Sequence, residues 1–91
     1  MLADTTTTVR IVYLARLRAA LARDAEAWPL PAADIDVAAL LAALRARGGA
    51  WSRELATGRA VRVAVNQVMA APSTPVRAGD EVALFPPVTG G

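Results

Sequence analysis

The sequence predicts an α+β domain: a mixed sheet of about five strands curled around one main helix. Three observations lead there. Val37, Leu40, Leu41 and Leu44 recur at i, i+3, i+4 and i+7, the apolar stripe of a single strong helix. Residues 8–14, 61–65 and 81–85 alternate in the two-residue period of half-buried strands. At 91 residues there is material for one core, and one long helix covers only one face of a small sheet.

Taken in order, Met1 to Thr7 is a polar leader, with threonines at Thr5 to Thr8, expected to be flexible until it feeds the first strand. Thr8 to Leu14 is rich in β-branched and aromatic residues. Val9, Ile11 and Tyr13 share one side; Arg10, Val12 and Leu14 share the other, and Arg10 marks that side as meeting solvent. Ala15 to Arg23 favours helix, with Leu14, Leu17 and Leu21 at helical spacing. Residues 26–30, around Trp28, form a second strand. Pro29 and Pro31 confine it to an edge, because proline cannot donate to a ladder.

Asp36 is placed to cap a helix that starts at Val37. Arg45 and Arg47 fall in its last turn, and Gly48-Gly49 stops it. Burying each large residue of the stripe contributes roughly 1.5–3 kcal/mol, so Leu41→Asp is expected to unfold the domain or come close. Residues 50–58 are a connector with a helical turn around Trp51 to Leu55. Val61, Val63 and Val65 define a strand, Asn66-Gln67 a tight turn, and Val68 to Ala70 a short return. Pro72 to Pro75 is loop, and Ala78-Gly79-Asp80 turns into the last strand, Glu81 to Phe85.

The predicted order is therefore strand, short helix, strand, helix and three strands, a β-grasp arrangement with one open sheet face. Leu14 and Phe85 lie on that face, each a large apolar group on a side that a charged neighbour marks as polar. Such a pair suggests a protein contact, although single exposed apolar residues are ordinary.

Composition removes several functions. With no cysteine and no histidine, the chain offers no disulfide, zinc-finger, iron–sulfur, Cys–His or Ser–His chemistry, and no metal site is expected. All ten basic residues are arginine, scattered among eight acids for a net charge of +2. With so few aromatics, nucleic-acid binding is not expected. Without lysine, the chain accepts no isopeptide on a side chain. No apolar run reaches membrane-spanning length and no secretory pattern opens the chain, so no membrane association and a cytoplasmic location are expected.

The last seven residues, Phe85-Pro86-Pro87-Val88-Thr89-Gly90-Gly91, are the candidate working part. A diproline favours a stiff, extended exit. The six residues beyond Phe85 reach ~20 Å. Gly90 and Gly91 carry no Cβ, so a narrow channel can close around them. Residues 1–7 are then the leader, 8–85 the domain and 86–91 the tail.

From Gly79-Asp80-Glu81-Val82 through to Gly90-Gly91 the chain resembles the small, sulfur-carrying subunits of molybdopterin synthases. Val65-Asn66-Gln67 and Tyr13-Leu14-Ala15-Arg16-Leu17-Arg18 extend the resemblance, which covers the chain from Val9 onward. It implies a ubiquitin-like β-grasp protein that is not an enzyme alone but the sulfur-donating subunit of a synthase. Its reactive group is the Gly91 carboxylate. An E1-like enzyme uses ATP to make an acyl-adenylate there, and a sulfur donor system converts it to a thiocarboxylate. The large catalytic subunit, in a two-plus-two heterotetramer, then receives the tail and passes the sulfur to cyclic pyranopterin monophosphate. No cofactor is bound in this reading. Gly91 is the reacting residue, Gly90, Thr89, Val88, Pro87 and Pro86 form the tail, and Phe85, Leu14 and Met69 form the docking surface. Two alternatives stay open: a related carrier or protein modifier, since these also end in Gly-Gly, and a non-covalent interaction domain.

Overall fold

The computed structural model describes residues 7–30 and 35–87. Among the described residues, seven strands and three helices follow one another: β1 (Thr8–Tyr13), α1 (Arg16–Leu21), β2 (Ala25–Pro29), β3 (Ile35–Asp36), α2 (Val37–Arg45), α3 (Gly49–Glu54), β4 (Arg62–Val65), β5 (Val68–Met69), β6 (Pro75–Val76) and β7 (Glu81–Phe85). Five strands form the main sheet in the order β2-β1-β7-β4-β5. The central pair, β1 and β7, is parallel, and the other pairings are antiparallel. The mixed sheet expected from the sequence is thus present, and β2 is an edge strand, as Pro29 at its end requires; Pro31 lies outside the described residues.

The register sorts the sheet into alternating rows. Ile11–Val82–Val65 and Tyr13–Leu84–Val63 face the helices, and all six are buried. Between them lies Ala25–Val12–Ala83–Ala64–Met69, a row across all five strands on the opposite face. From α1, Leu17 and Leu21 enter the core; from α2, Val37, Leu40 and Leu44 do. Leu41 is only half-buried against that core, so it is Leu40 and Leu44, both fully buried, that the α2 packing rests on. Asp36 caps α2 as expected, its carboxylate accepting from the Ala39 amide at 2.9 Å.

Several elements differ from the expectation. Helix α1 is shorter than residues 15–23 and does not include Leu14 in its buried stripe. Ala15 adopts φ 54°, ψ −134°, which turns the chain before the helix begins. That backbone region costs an L-residue about 1–3 kcal/mol. It is held by the Leu14 amide donating to the Leu84 carbonyl at 3.0 Å and the Arg18 amide donating to the Ala15 carbonyl at 3.1 Å. Helix α2 ends at Arg45, leaving Arg47 in the turn beyond it. Gly48, at φ +79°, reverses the chain directly into α3, a helix where a connector with one turn was expected. Strands β3 and β6 pair with each other and were not foreseen. Each is two residues long and their pairing is long-range, so no local pattern marks them. The core still needs β6, since Val76 is fully buried. Thr7, assigned to the leader, is tied to the domain: its carbonyl accepts from the Leu30 amide at 2.7 Å.

Two turns far apart in sequence are one hydrogen-bonded unit. Asn66 and Gln67 both have positive φ and close the β4–β5 hairpin. The Asn66 side-chain amide donates to Asp80 Oδ1 and its carbonyl oxygen accepts from the Glu81 amide, both at 3.0 Å. Gly79, at φ +88°, makes the turn that presents Asp80 and Glu81. This unit fixes where β7 starts, and so which end of the sheet β7 leaves from.

Candidate functional site

Because β1 and β7 run parallel, their C-terminal ends emerge side by side. Tyr13 lies opposite Leu84, so the next residues, Leu14 and Phe85, are neighbours at that end of the sheet. Phe85 in turn lies opposite Arg62 on β4. The open face therefore carries a row Leu14–Phe85–Arg62 beside the apolar row that ends in Met69. Leu14 is 40% and Met69 55% exposed, and Phe85 is half-buried. The three residues assigned to docking from the sequence share this face. Ala64 is buried at 8% although it points to the open side. Its single methyl stands between the cross-strand neighbours Ala83 and Met69 and leaves little surface.

Val12, grouped with Leu14 by the alternation of β1, shares the face, and Ala83, Ala64 and Arg62 complete it. Alternation within each strand was the available signal, but it becomes a surface only once the register is known. Charge on this face is sparse. Arg10 pairs with Glu81 across the β1–β7 register, at 3.8 Å. Among the described residues no carboxylate forms an ion pair with Arg62.

The tail leaves from this row. Pro86 and Pro87 follow the end of β7 and are half-buried. Val88, Thr89, Gly90 and Gly91, which carry the expected chemistry, lie outside the described residues.

Behind the Leu14 end of β1, on the helix side, stands a polar cluster that the sequence did not reveal. Glu26 accepts from Tyr13 Oη at 2.5 Å, from Arg47 Nη1 at 2.5 Å and from Arg23 Nη1 at 2.6 Å. The Arg47 guanidinium lies over Trp51 at 3.9 Å and over Trp28 at 4.6 Å from the ring centres. Burial, together with the hydrogen bond to Glu26, pushes the Tyr13 phenol up to about 12. Burial pushes Glu26 upward too, but its bonds to Arg47 and Tyr13 and the charges of Arg47 and Arg23 overcome this and hold its carboxyl below the ordinary value. A second carboxylate, Glu54, ties α1 to α3 through Arg16 at 2.5 Å and also receives Arg59 at 3.0 Å. These clusters brace the helical side. Among the described residues, no group of three or more His, Cys, Asp and Glu side chains is gathered for a metal ion.

The arrangement is a largely apolar sheet face with Pro86 and Pro87 leaving β7 at its rim. A family model described as the ThiS family matches residues 11–91.

The chain belongs to the ThiS family.

The family membership bears out the resemblance read from residues 79–91 and from Val65-Asn66-Gln67. Over 84 residues this ThiS-family chain is 37% identical to the molybdopterin synthase sulfur carrier subunit of Escherichia coli strain K12, covering 91% of this chain and 99% of that one. The small archaeal modifier protein 1 of H. volcanii superposes with a TM-score of 0.74 at 28% identity, over 90% of this chain and 99% of that chain. The complex of subunits 1 and 2 of molybdopterin-converting factor from Helicobacter pylori contains a chain that superposes with a TM-score of 0.63, over 92% of this chain and 99% of that one. At 21% identity that likeness bears on the fold alone. The ubiquitin-like β-grasp is thus the fold of this ThiS-family chain. No helix among its described residues is long and apolar enough to cross a membrane.

Proposed function

We propose that this chain is a cytoplasmic sulfur carrier for molybdopterin synthesis, with the Gly91 carboxylate as its reactive group. The observation that carries the reading is the tail Phe85-Pro86-Pro87-Val88-Thr89-Gly90-Gly91, rooted on an apolar sheet face in a chain 37% identical to a named sulfur carrier subunit. An ionised carboxylate is a poor electrophile. An E1-like enzyme joins it to the AMP moiety of ATP, releasing pyrophosphate. A sulfur donor then displaces AMP and leaves a thiocarboxylate on Gly91. The carrier itself supplies no general acid or base. Its domain docks through Phe85, Leu14 and Met69, and its tail extends into the partner. That partner is the large catalytic subunit, two copies of each chain forming the synthase, where sulfur passes to cyclic pyranopterin monophosphate and the carboxylate returns. The subunit 1 and 2 complex named for the H. pylori protein supports a partner of this kind.

Incubation with the activating enzyme, ATP and a sulfur donor should add the mass difference of one oxygen exchanged for sulfur, localised to Gly91. An unchanged mass with a demonstrably active activator rejects the reading. The likeness to small archaeal modifier protein 1 favours one second reading, attachment to lysines of other proteins. Recovery of this chain in amide linkage to other proteins from cell extract would select it.

A further inference from the structure

We propose that Arg62 is a specificity determinant of the docking face, and that the sulfur-accepting partner presents a carboxylate to it from within an apolar patch. This rests on the sulfur-carrier reading above and adds to it the charge chemistry of the interface.

The inference starts from position. Arg62 lies directly across the β4–β7 register from Phe85, and neighbouring strands stand about 4.8 Å apart. It is an exposed side chain on the same face as Leu14, Ala83, Ala64 and Met69. A protein that covers Phe85 at the root of the tail also covers Arg62. The two arginines of this face then differ in kind. Arg10 has Glu81 as its cross-strand neighbour and enters an interface already paired. Among the described residues Arg62 has no acidic partner, so no described carboxylate offsets the positive charge at the Phe85 end of the face.

A guanidinium stripped of water without a counter-charge is costly, and an interface that buries one must supply an acceptor. The fitting acceptor is a side-chain carboxylate, which takes two parallel N–H bonds from an arginine fork. An apolar surface alone would bind Leu14, Phe85 and Met69 yet leave Arg62 unpaired. A carboxylate at this spot thus discriminates between partners and sets the register in which the tail enters.

The test measures binding of the full-length chain to the large subunit of the same organism's synthase, by calorimetry at low and high salt. Variants are Arg62→Ala, Arg62→Leu and Arg62→Glu, each checked for an unchanged thermal melt. Arg62→Ala should weaken binding about tenfold and Arg62→Glu about a hundredfold or more. Arg62→Leu should also weaken it, because it buries the partner's carboxylate against an apolar group. One acid-to-arginine change in the partner should restore binding to Arg62→Glu. If wild type binds and all three variants bind equally well, or Arg62→Leu binds more tightly, the proposal is overturned and the carrier reading stands. If wild type does not bind the large subunit, both fall.

Discussion

Replacing Glu26 by alanine should destabilise the domain far more than a surface position would suggest. The carboxylate joins β2 to β1 through Tyr13 and to the α2–α3 turn through Arg47, and its side chain is only 13% exposed. Hydrogen bonds that involve a charged group contribute about 1.5–3 kcal/mol each. The Arg23 contact counts for little, since that side chain is 41% exposed and solvent screens it. Arg47, at 22% exposed, would lose its counter-charge while still held between Trp28 and Trp51. Those rings retain part of the attraction, and the burial cost of Glu26 itself disappears. The net loss is about 2–4 kcal/mol, which for a domain of this size lowers Tm by about 10–30 °C. Urea denaturation at pH 7, followed by circular dichroism and by fluorescence of the two tryptophans, measures it. A double-mutant cycle with Arg47→Ala then isolates the pair. A loss below about 0.5 kcal/mol, or strict additivity of the two changes, would refute the bracing role.

Alkaline titration gives a second check. Tyr13 keeps its proton up to about 12 in the folded chain, whereas an unfolded tyrosine releases it near 10. Its contribution is complete below pH 10 and fades as pH rises to about 12, by about 2–3 kcal/mol; Tyr13→Phe should flatten that limb of the stability profile. Glu26 has the opposite sense: its folded value is depressed, so its contribution is present above the ordinary glutamate range and is lost as pH falls through the folded value. Glu26→Gln should make the acid limb shallower in denaturation curves. Leu44→Ala removes a fully buried side chain and should cost about 2–5 kcal/mol in chemical denaturation, whereas the half-buried Leu41→Ala should cost less. Phe85→Asp should retain cooperative unfolding and lose partner binding by at least about thirtyfold; loss of cooperative unfolding would place Phe85 in the core.

Much of this protein is written locally. Asp36 before an apolar stripe specifies where α2 begins, because capping and helical periodicity act within one turn. Alternation in residues 8–13 and 81–85 sorts each strand into two faces, because successive side chains point to opposite sides. The tail is legible for the same reason: the fixed φ of Pro86 and Pro87 and the missing Cβ of Gly90 and Gly91 belong to those residues themselves. Pairing between distant strands is a different matter. Nothing near Leu14 announces Phe85, and nothing near Phe85 announces Arg62; the parallel β1–β7 register and the antiparallel β4–β7 register bring them together. Glu26, Tyr13 and Arg47 are likewise unremarkable in sequence and meet only across a strand pair and a helix end. The sequence by itself determined the main helix, the two faces of β1 and β7 and the residue types of the tail, since those follow from each residue and its near neighbours. Tertiary structure alone decided which faces merge into one surface and which charges on it find a partner among the described residues, since both depend on register between segments far apart in the chain.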